Sequence, residues 1–406
     1  MERVDVAVIG AGAAGLSLAD RLGALTGARS PSVALIDPPP GPLRPPPRTW
    51  CFWEEGPGRY DAAVTASWST VRLHGPDGRL VEGSIDPMRY KMIRSDDFVR
   101  LVGQRLAGHP GFTRLDGTVE TIEGAADGAR VVLRTADGGS RTLSARWVFD
   151  SRPLGSLPPA RTTLLQHFRG WFVRTPRPVF DPSSVELMDF RTPQPRRGLA
   201  FGYVLATGTH TALVEYTQFS SSVLADQDYD RALRSYLERT LGVRDYAVEA
   251  TEHGVIPMTD ALFARRSGPS VFRIGAAGGA TRPATGYTFS AIQRQATAVA
   301  RALHDGHDPV PPAPHSRRSR AMDAVLLHGL AQGRIEGDAF FTRLFSEVPT
   351  ARLLRFLDGD TSLLQDLAVG LRAPVGPMLR SALELPSRPR RPAPPLPDAA
   401  RRPAPP

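Results

Sequence analysis

The residues with the plainest chemical use stand near the N-terminus: Gly10-x-Gly12-x-x-Gly15, followed by Asp37, 22 residues beyond the third glycine. Gly10 permits a tight turn, Gly12 lets backbone approach a pyrophosphate, and Gly15 lets a helix pack closely on a strand. A helix opening here presents free N–H groups and a partial positive charge to phosphates. Asp37 would then accept hydrogen bonds from an adenosine ribose. The pattern predicts a dinucleotide site and does not by itself separate NAD from FAD. A second chemistry-bearing residue is Glu215, in the extended run Thr211–Thr217. Alternation puts Thr211, Leu213, Glu215 and Thr217 on one face and Ala212, Val214 and Tyr216 on the other. On an isolated strand, a glutamate there is expected to face solvent.

These residues need elements to hold them. Val4–Ile9 is a short apolar run that reads as a buried parallel strand. Leu16, Leu18, Ala19 and Leu22 mark a helix after the glycines, and Val33–Ile36 is a second strand ending at Asp37. A proline-rich loop, Pro38–Pro47, leads into the aromatic run Trp50-Cys51-Phe52-Trp53. Ser95 reads as the N-cap of a helix carrying Phe98, Leu101, Val102 and Leu106, and Val131–Leu133 and Trp147–Phe149 read as further strands. From about residue 163 to 260 the pattern is extended, as in Leu164–Thr175 and Phe201–Thr207. Around Phe272–Ile274 a strand resumes, followed by a glycine-rich turn and a helix over Ser290–Leu303. The fold expected is α/β: a Rossmann-like domain from residues 1–160 and 261–310, with a β-rich substrate domain, 161–260, inserted. A helical region, 311–385, and a structure-free proline-arginine tail, 386–406, complete it.

A glycine motif at the N-terminus, in a domain resumed far downstream, favours FAD over NAD. Trp147-Val148-Phe149-Asp150-Ser151-Arg152 resembles the strand that returns to the flavin in two-domain flavoproteins. Arg273-Ile274-Gly275-Ala276-Ala277-Gly278-Gly279, with Pro283-x-x-Gly286, resembles their second flavin contact, and Arg94 matches a flavin-contacting arginine. The resemblance thus implies Asp150, Gly275, Gly278, Gly286 and Arg94 as cofactor residues. Flavin hydroxylases usually carry Gly-Asp in that second contact. Here Ala276 replaces the acid, which argues against a hydroxylase.

A narrower resemblance rests on several blocks together: Arg48–Trp53, Tyr90–Ser95, Gln166–Trp171, Met188–Arg191, Ala212–Thr217, and Gly275–Gly279 with Thr285–Phe289. From Val4 to about Leu385 the chain resembles the flavin-containing bacterial lycopene β-cyclases of carotenoid synthesis. That implies a redox-neutral isomerisation. An end double bond of lycopene is protonated, the carbocation closes a six-membered ring, and loss of a ring proton leaves a β-ionone end. It further implies reduced FAD, NAD(P)H as reductant, and Glu215 facing the flavin cavity as general acid/base. Burial against a polyene would raise the Glu215 pKa, as a donor near neutral pH requires. Asp189 is a second acid, with a turn or network role as the alternative; His167 and His253 are read as structural unless they lie near the flavin. Trp50, Phe52, Trp53 and Tyr287 are expected to wall the substrate pocket, where aromatic faces stabilise a cation by about 1–2 kcal/mol each when desolvated. The alternative is an FAD-dependent monooxygenase or prenyl reductase acting on a lipophilic substrate.

Composition narrows the setting. Cys51 is the single cysteine, so neither a disulfide framework nor a cysteine metal cluster is expected, and no metal is assigned. No run of about 18 apolar residues and no signal peptide is read. The chain has 406 residues and a net charge of +9, with Lys91 its one lysine. Residues 386–406 hold five arginines against Asp398, so the tail carries +4 of that charge. This shifts the expected partner from nucleic acid to an anionic membrane surface, where a carotenoid dissolves. The protein is expected in the cytoplasm, peripheral on the inner face of the membrane. Apolar residues of the C-terminal helices, among them Met322, Leu326, Phe341, Leu344, Leu354 and Phe356, are expected to be part core and part apolar rim.

Overall fold

The computed structural model describes residues 2–26 and 30–393. Its first quarter runs β1 (Glu2–Ile9), α1 (Ala13–Gly23), β2 (Val33–Asp37), β3 (Thr49–Glu55), β4 (Val64–Trp68), β5 (Thr70–His74), β6 (Leu80–Ser84), β7 (Met88–Arg94) and α2 (Ser95–Leu106). Then come β8 (Phe112–Ala125), β9 (Gly128–Thr135), β10 (Ser140–Asp150), β11 (Thr163–Arg174), β12 (Ser184–Asp189), β13 (Leu199–Ala206), β14 (Thr211–Ser220), α3 (Asp226–Ser235) and β15 (Ala247–Thr259). The chain closes with β16 (Arg266–Gly268), β17 (Val271–Arg273), α4 (Phe289–His304), α5 (Arg317–Ala331), α6 (Gly337–Glu347), α7 (Thr350–Asp358), α8 (Leu363–Gly370) and α9 (Val375–Glu384).

In the first sheet, β1 pairs in parallel with β2 and β10, β2 with the start of β8, and β10 with β17. The far ends of β8 and β10 pair antiparallel with β9. The residues of β2 are all buried, as a parallel strand covered on both faces requires. Leu16, Leu18, Ala19 and Leu22 of α1 pack with Ala296 and Val299 of α4 and Val102 of α2 in one apolar cluster over this sheet. Gly10 therefore lies at the carboxyl end of β1, where open α/β sheets bind their ligands.

The second sheet has the order β15-β11-β14-β13-β12-β5-β6. Its two faces differ. Val214 and Tyr216 of β14 pack with Tyr229 and Leu233 of α3, whereas Leu213 and Phe219 join a core containing Phe341 and Leu344 of α6 and Leu353 of α7. The alternation expected for Thr211–Thr217 is the one observed. A third sheet, β3-β7-β4, gives Trp53 and Tyr90 to the core of the second sheet and Phe52 and Ile93 to that of the first.

Two expectations change. Residues 70–84, assigned by position to the first domain, form the hairpin β5–β6 and extend the second sheet, with Val71 opposite Val185 of β12. The hairpin covers backbone donors and acceptors that would otherwise leave β12 an open edge. The tail also departs from expectation where it begins. Ala160 and Arg391 exchange a backbone bridge, and Arg390 donates to the Asp260 carbonyl at 3.0 Å. Residues 394–406 lie outside the described residues. Among the described residues, no helix is long and apolar enough to cross a membrane.

Candidate functional site

The first glycine turn is built as its spacing predicts. Gly10 adopts φ +91°, and a Cβ at Gly15 would stand 1.8 Å from the Gly10 carbonyl oxygen, so helix and strand touch there through backbone alone. A Cβ at Gly12 would meet nothing within 4 Å, leaving the start of α1 open to a ligand. Gly12 is also the helix N-cap and has no side-chain cap, so the first N–H groups face that open space. Asp37 accepts a hydrogen bond from the Ala11 N–H at 3.0 Å and faces Arg44 at 3.2 Å. Ser151 Oγ ties the neighbouring strand to the turn by donating to the Ile9 carbonyl at 2.7 Å.

The second glycine turn lies against the first. Gly275 has φ +63°, and a Cβ there would stand 2.7 Å from that of Ala14. Gly278 folds back on the Arg273 carbonyl, and Gly286, with φ +74°, leaves room for Gln166. The buried Gln166 Oε1 has no hydrogen-bond partner, an unmet acceptor beside this turn. The two turns, the open helix terminus and this orphaned acceptor fit an extended flavin dinucleotide. A narrow recess adjoins them, lined by Cys51, Phe52, Trp53, Tyr287, Phe289 and Leu357 among others.

On the face of the second sheet that packs toward these turns, Tyr203, Glu215, Gly170 and Glu252 stand in one row across β13, β14, β11 and β15. Glu215 is buried and accepts a 2.5 Å hydrogen bond from the Thr217 hydroxyl. Burial pushes its pKa up to about 8, the like charge of Glu252 adds to this, and the Thr217 bond opposes it. Glu252 is also raised by burial, but the Thr49 hydroxyl at 2.7 Å and the charges of Arg94 and Arg48 pull it back. Burial likewise lifts the Cys51 thiol to about 12, so it remains a thiol. Beyond Glu215, Tyr90 bonds Tyr203 at 2.6 Å and Tyr287 at 2.9 Å, and Trp53 meets Tyr287 edge-on at 4.6 Å. The arrangement is a neutral carboxylic acid in an aromatic, hydroxyl-lined surround.

Not every expected residue comes here. Trp50 packs instead on Phe98 and Phe289, at 5.6 and 6.1 Å, in the core of the first domain. Arg94 ends β7 just before α2 and lays its guanidinium 4.0 Å over the Phe172 ring, on the Glu252 side of the row. Both Asp150 oxygens are taken by Arg152 and Arg273, at 2.9–3.0 Å, so this carboxylate braces the strand ends. Asp189 is held by Arg191 and by the Tyr236 hydroxyl at 2.8 Å, away from the recess; it is the network carboxylate rather than a second acid. His167 bonds Ser220 and Tyr229, and burial lowers it to about 4, so it stays neutral. His253 stacks edge-on against Tyr229, so both histidines face the α3 side, opposite Glu215. Glu252, Tyr90 and Tyr203 were not singled out from the sequence. The signal for Glu252 lies in strand pairing, which local patterns do not carry.

The family model for lycopene cyclase protein matches residues 5–383. An uncharacterized carotenoid cyclase of Deinococcus radiodurans is 31% identical over 382 residues, covering 88% of this chain and 86% of its own. Among solved structures, a geranylgeranyl bacteriochlorophyll reductase-like protein from Thermoplasma acidophilum superposes with a TM-score of 0.66 at 14% identity, covering 95% of this chain and 100% of that one. The p-nitrophenol 4-monooxygenase of Pseudomonas putida superposes at 0.59 and 17% identity, covering 96% of this chain and 100% of that one. These two share the fold, a Rossmann-like domain with a second, β-rich sheet and C-terminal helices. With a family match across both sheets and the helices, and Glu215 within it, the chain belongs to the lycopene cyclase family.

Proposed function

We propose that this protein is a flavin-dependent lycopene β-cyclase that converts ψ-ends of lycopene, or a related carotenoid, to β-ionone rings as an isomerase of the intramolecular lyase type. The observation that carries the reading is Glu215: a buried carboxyl held neutral near pH 7 in a row with Tyr203 and Glu252, beside an aromatic recess. FAD would be held by Gly10, Gly12, Gly15 and Asp37 at one end and by Gly275, Gly278 and Gly286 at the other. In its reduced form, supplied with electrons by NAD(P)H, it contributes negative charge beside a developing cation, and in a dry site that attraction is far larger than in water.

The rest is done by the chain. Trp53 and Tyr287 exclude water and supply aromatic rings to the cation, while Phe52 backs them from the first-domain core, stacked on Phe289 at 4.4 Å. Glu215 gives its proton to the end double bond, the ring closes, and the carboxylate left on Glu215 takes the proton lost from the ring. Proton and electron counts balance, and product mass equals substrate mass. Glu252 acts through Glu215: its charge raises the Glu215 pKa and keeps the acid loaded.

Anaerobic incubation with lycopene, FAD and NADPH in liposomes tests this. The expected product has unchanged mass and the absorption of a β-ring carotenoid. A gain of hydrogen or oxygen would instead establish the prenyl-reductase or monooxygenase activity that shares this fold.

A further inference from the structure

The helices after the recess carry an apolar face that the body leaves uncovered. Leu364, Leu367 and Leu371 follow helical spacing along α8 and its end, and Val375, Leu379 and Leu383 recur every fourth residue along α9. Each is 55–77% exposed. The opposite side of α8 is anchored. Val369 is buried, and Asp366 meets Arg318 at 2.5 Å and the Thr361 hydroxyl at 2.5 Å. The leucines therefore point outward because the other side of the helix is held. Exposed apolar residues repeated at helical spacing in this way mark an interaction site.

Charge and position identify the partner. Residues 361–393 hold five arginines against Asp366 and Glu384, a net +3, and Asp366 is buried in its ion pair. Arg372 and Arg380 have exposed side chains beside the leucines, paired at the surface with Glu347 at 3.6 Å and Glu384 at 3.3 Å. An amphipathic surface with leucine on one side and arginine around it fits the headgroup and acyl boundary of an anionic bilayer. The face also adjoins the site: Leu357 and Asp358, at the end of α7, line the recess, and Leu363 opens α8 five residues later. Of the residues expected from sequence to be part core and part rim, Phe341, Leu344 and Leu354 are core.

We propose that the α8–α9 face seats the protein on an anionic lipid surface, with the recess mouth beside the hydrocarbon from which the substrate enters. This rests on the cyclase reading for the substrate, but lipid binding can be measured without it. The test is co-sedimentation of the full chain with phosphatidylcholine vesicles, with and without phosphatidylglycerol, at low and high salt. The wild type is compared with the triple variant Leu364→Ser, Leu371→Ser, Leu383→Ser. These positions are exposed, so the fold should survive, which circular dichroism checks. The expected result is binding to the anionic vesicles that weakens with salt and falls at least tenfold in the variant. On vesicle-borne lycopene the variant loses turnover, while on detergent-dispersed lycopene it keeps it. Equal vesicle binding by wild type and variant would overturn the proposal. So would a wild-type dimer that the variant abolishes without any vesicle binding, because the occupant would then be a second copy. Vesicle binding without turnover by the wild type would leave the face intact and remove the cyclase reading.

Discussion

Glu215 and Glu252 stand on either side of Gly170, each directly opposite it on a neighbouring strand and on the same face of the second sheet. Nothing larger than hydrogen separates them at that position. A Cβ on Gly170 would stand 2.8 Å from Leu213 Cδ1 and 3.2 Å from Glu252 Cγ. Two carboxylates in one buried row cannot both ionise cheaply, and their surroundings divide the roles: Glu252 has Arg48 and Arg94 nearby, while Glu215 has only the Thr217 hydroxyl.

Replacing Glu215 with Gln should reduce turnover by about 10²–10⁴-fold, the usual worth of a general acid. The variant should keep its fold and its bound flavin. Single-turnover product formation with a flavin absorption spectrum reads both, and retained activity would remove Glu215 from the role.

The Glu215 pKa of about 8 fixes the sign of the pH dependence. The protonated acid is present below that value, so kcat/KM should fall as pH rises through about 8. Glu252→Gln removes a like charge, lowers the Glu215 pKa and should move this alkaline limb to lower pH. A change in rate with an unmoved limb would contradict the coupling.

Stability follows the same group. Its folded pKa lies above the unfolded value, so its contribution is fully present below the ordinary glutamate range and is lost as pH rises through about 8. Glu215→Gln should therefore melt higher than wild type at pH 8 and close to it at pH 4. Calorimetry at the two values checks the difference.

Gly12 and Gly15 should separate cofactor from fold. Gly15→Ala drives a methyl group into the Gly10 backbone and should destabilise the chain. Gly12→Ala meets no protein atom and should leave the melting temperature within a few degrees while flavin retention falls. Flavin content against melting temperature distinguishes the two, and full flavin retention in Gly12→Ala would place the dinucleotide elsewhere.

The buried Arg282–Asp323 pair, 3.1 Å apart, ties the second turn to α5, and Arg282 also donates to the Phe356 carbonyl of α7 at 3.1 Å. Asp323→Ala strands a buried guanidinium and should cost about 3–5 kcal/mol. Denaturant unfolding measures it; a loss under 1 kcal/mol would mean water or Phe356 already satisfies Arg282.

What the sequence determined by itself was local. Glycine spacing set the first turn, because only glycine tolerates the backbone contact of Gly15 with Gly10. Two-residue alternation divided the faces of β14, because a strand has no other way to point its side chains. Tertiary structure decided the rest. Glu252 became Glu215's partner through β11, a strand some 80 residues away in sequence. Asp150 and Asp189, equally acidic in sequence, were neutralised by Arg152, Arg273 and Arg191. Leucine alone does not distinguish Leu354 in the core from Leu364 at the surface; that depends on which helix face another element covers. Pairing and coverage join residues distant in sequence, and spacing along a chain does not encode them.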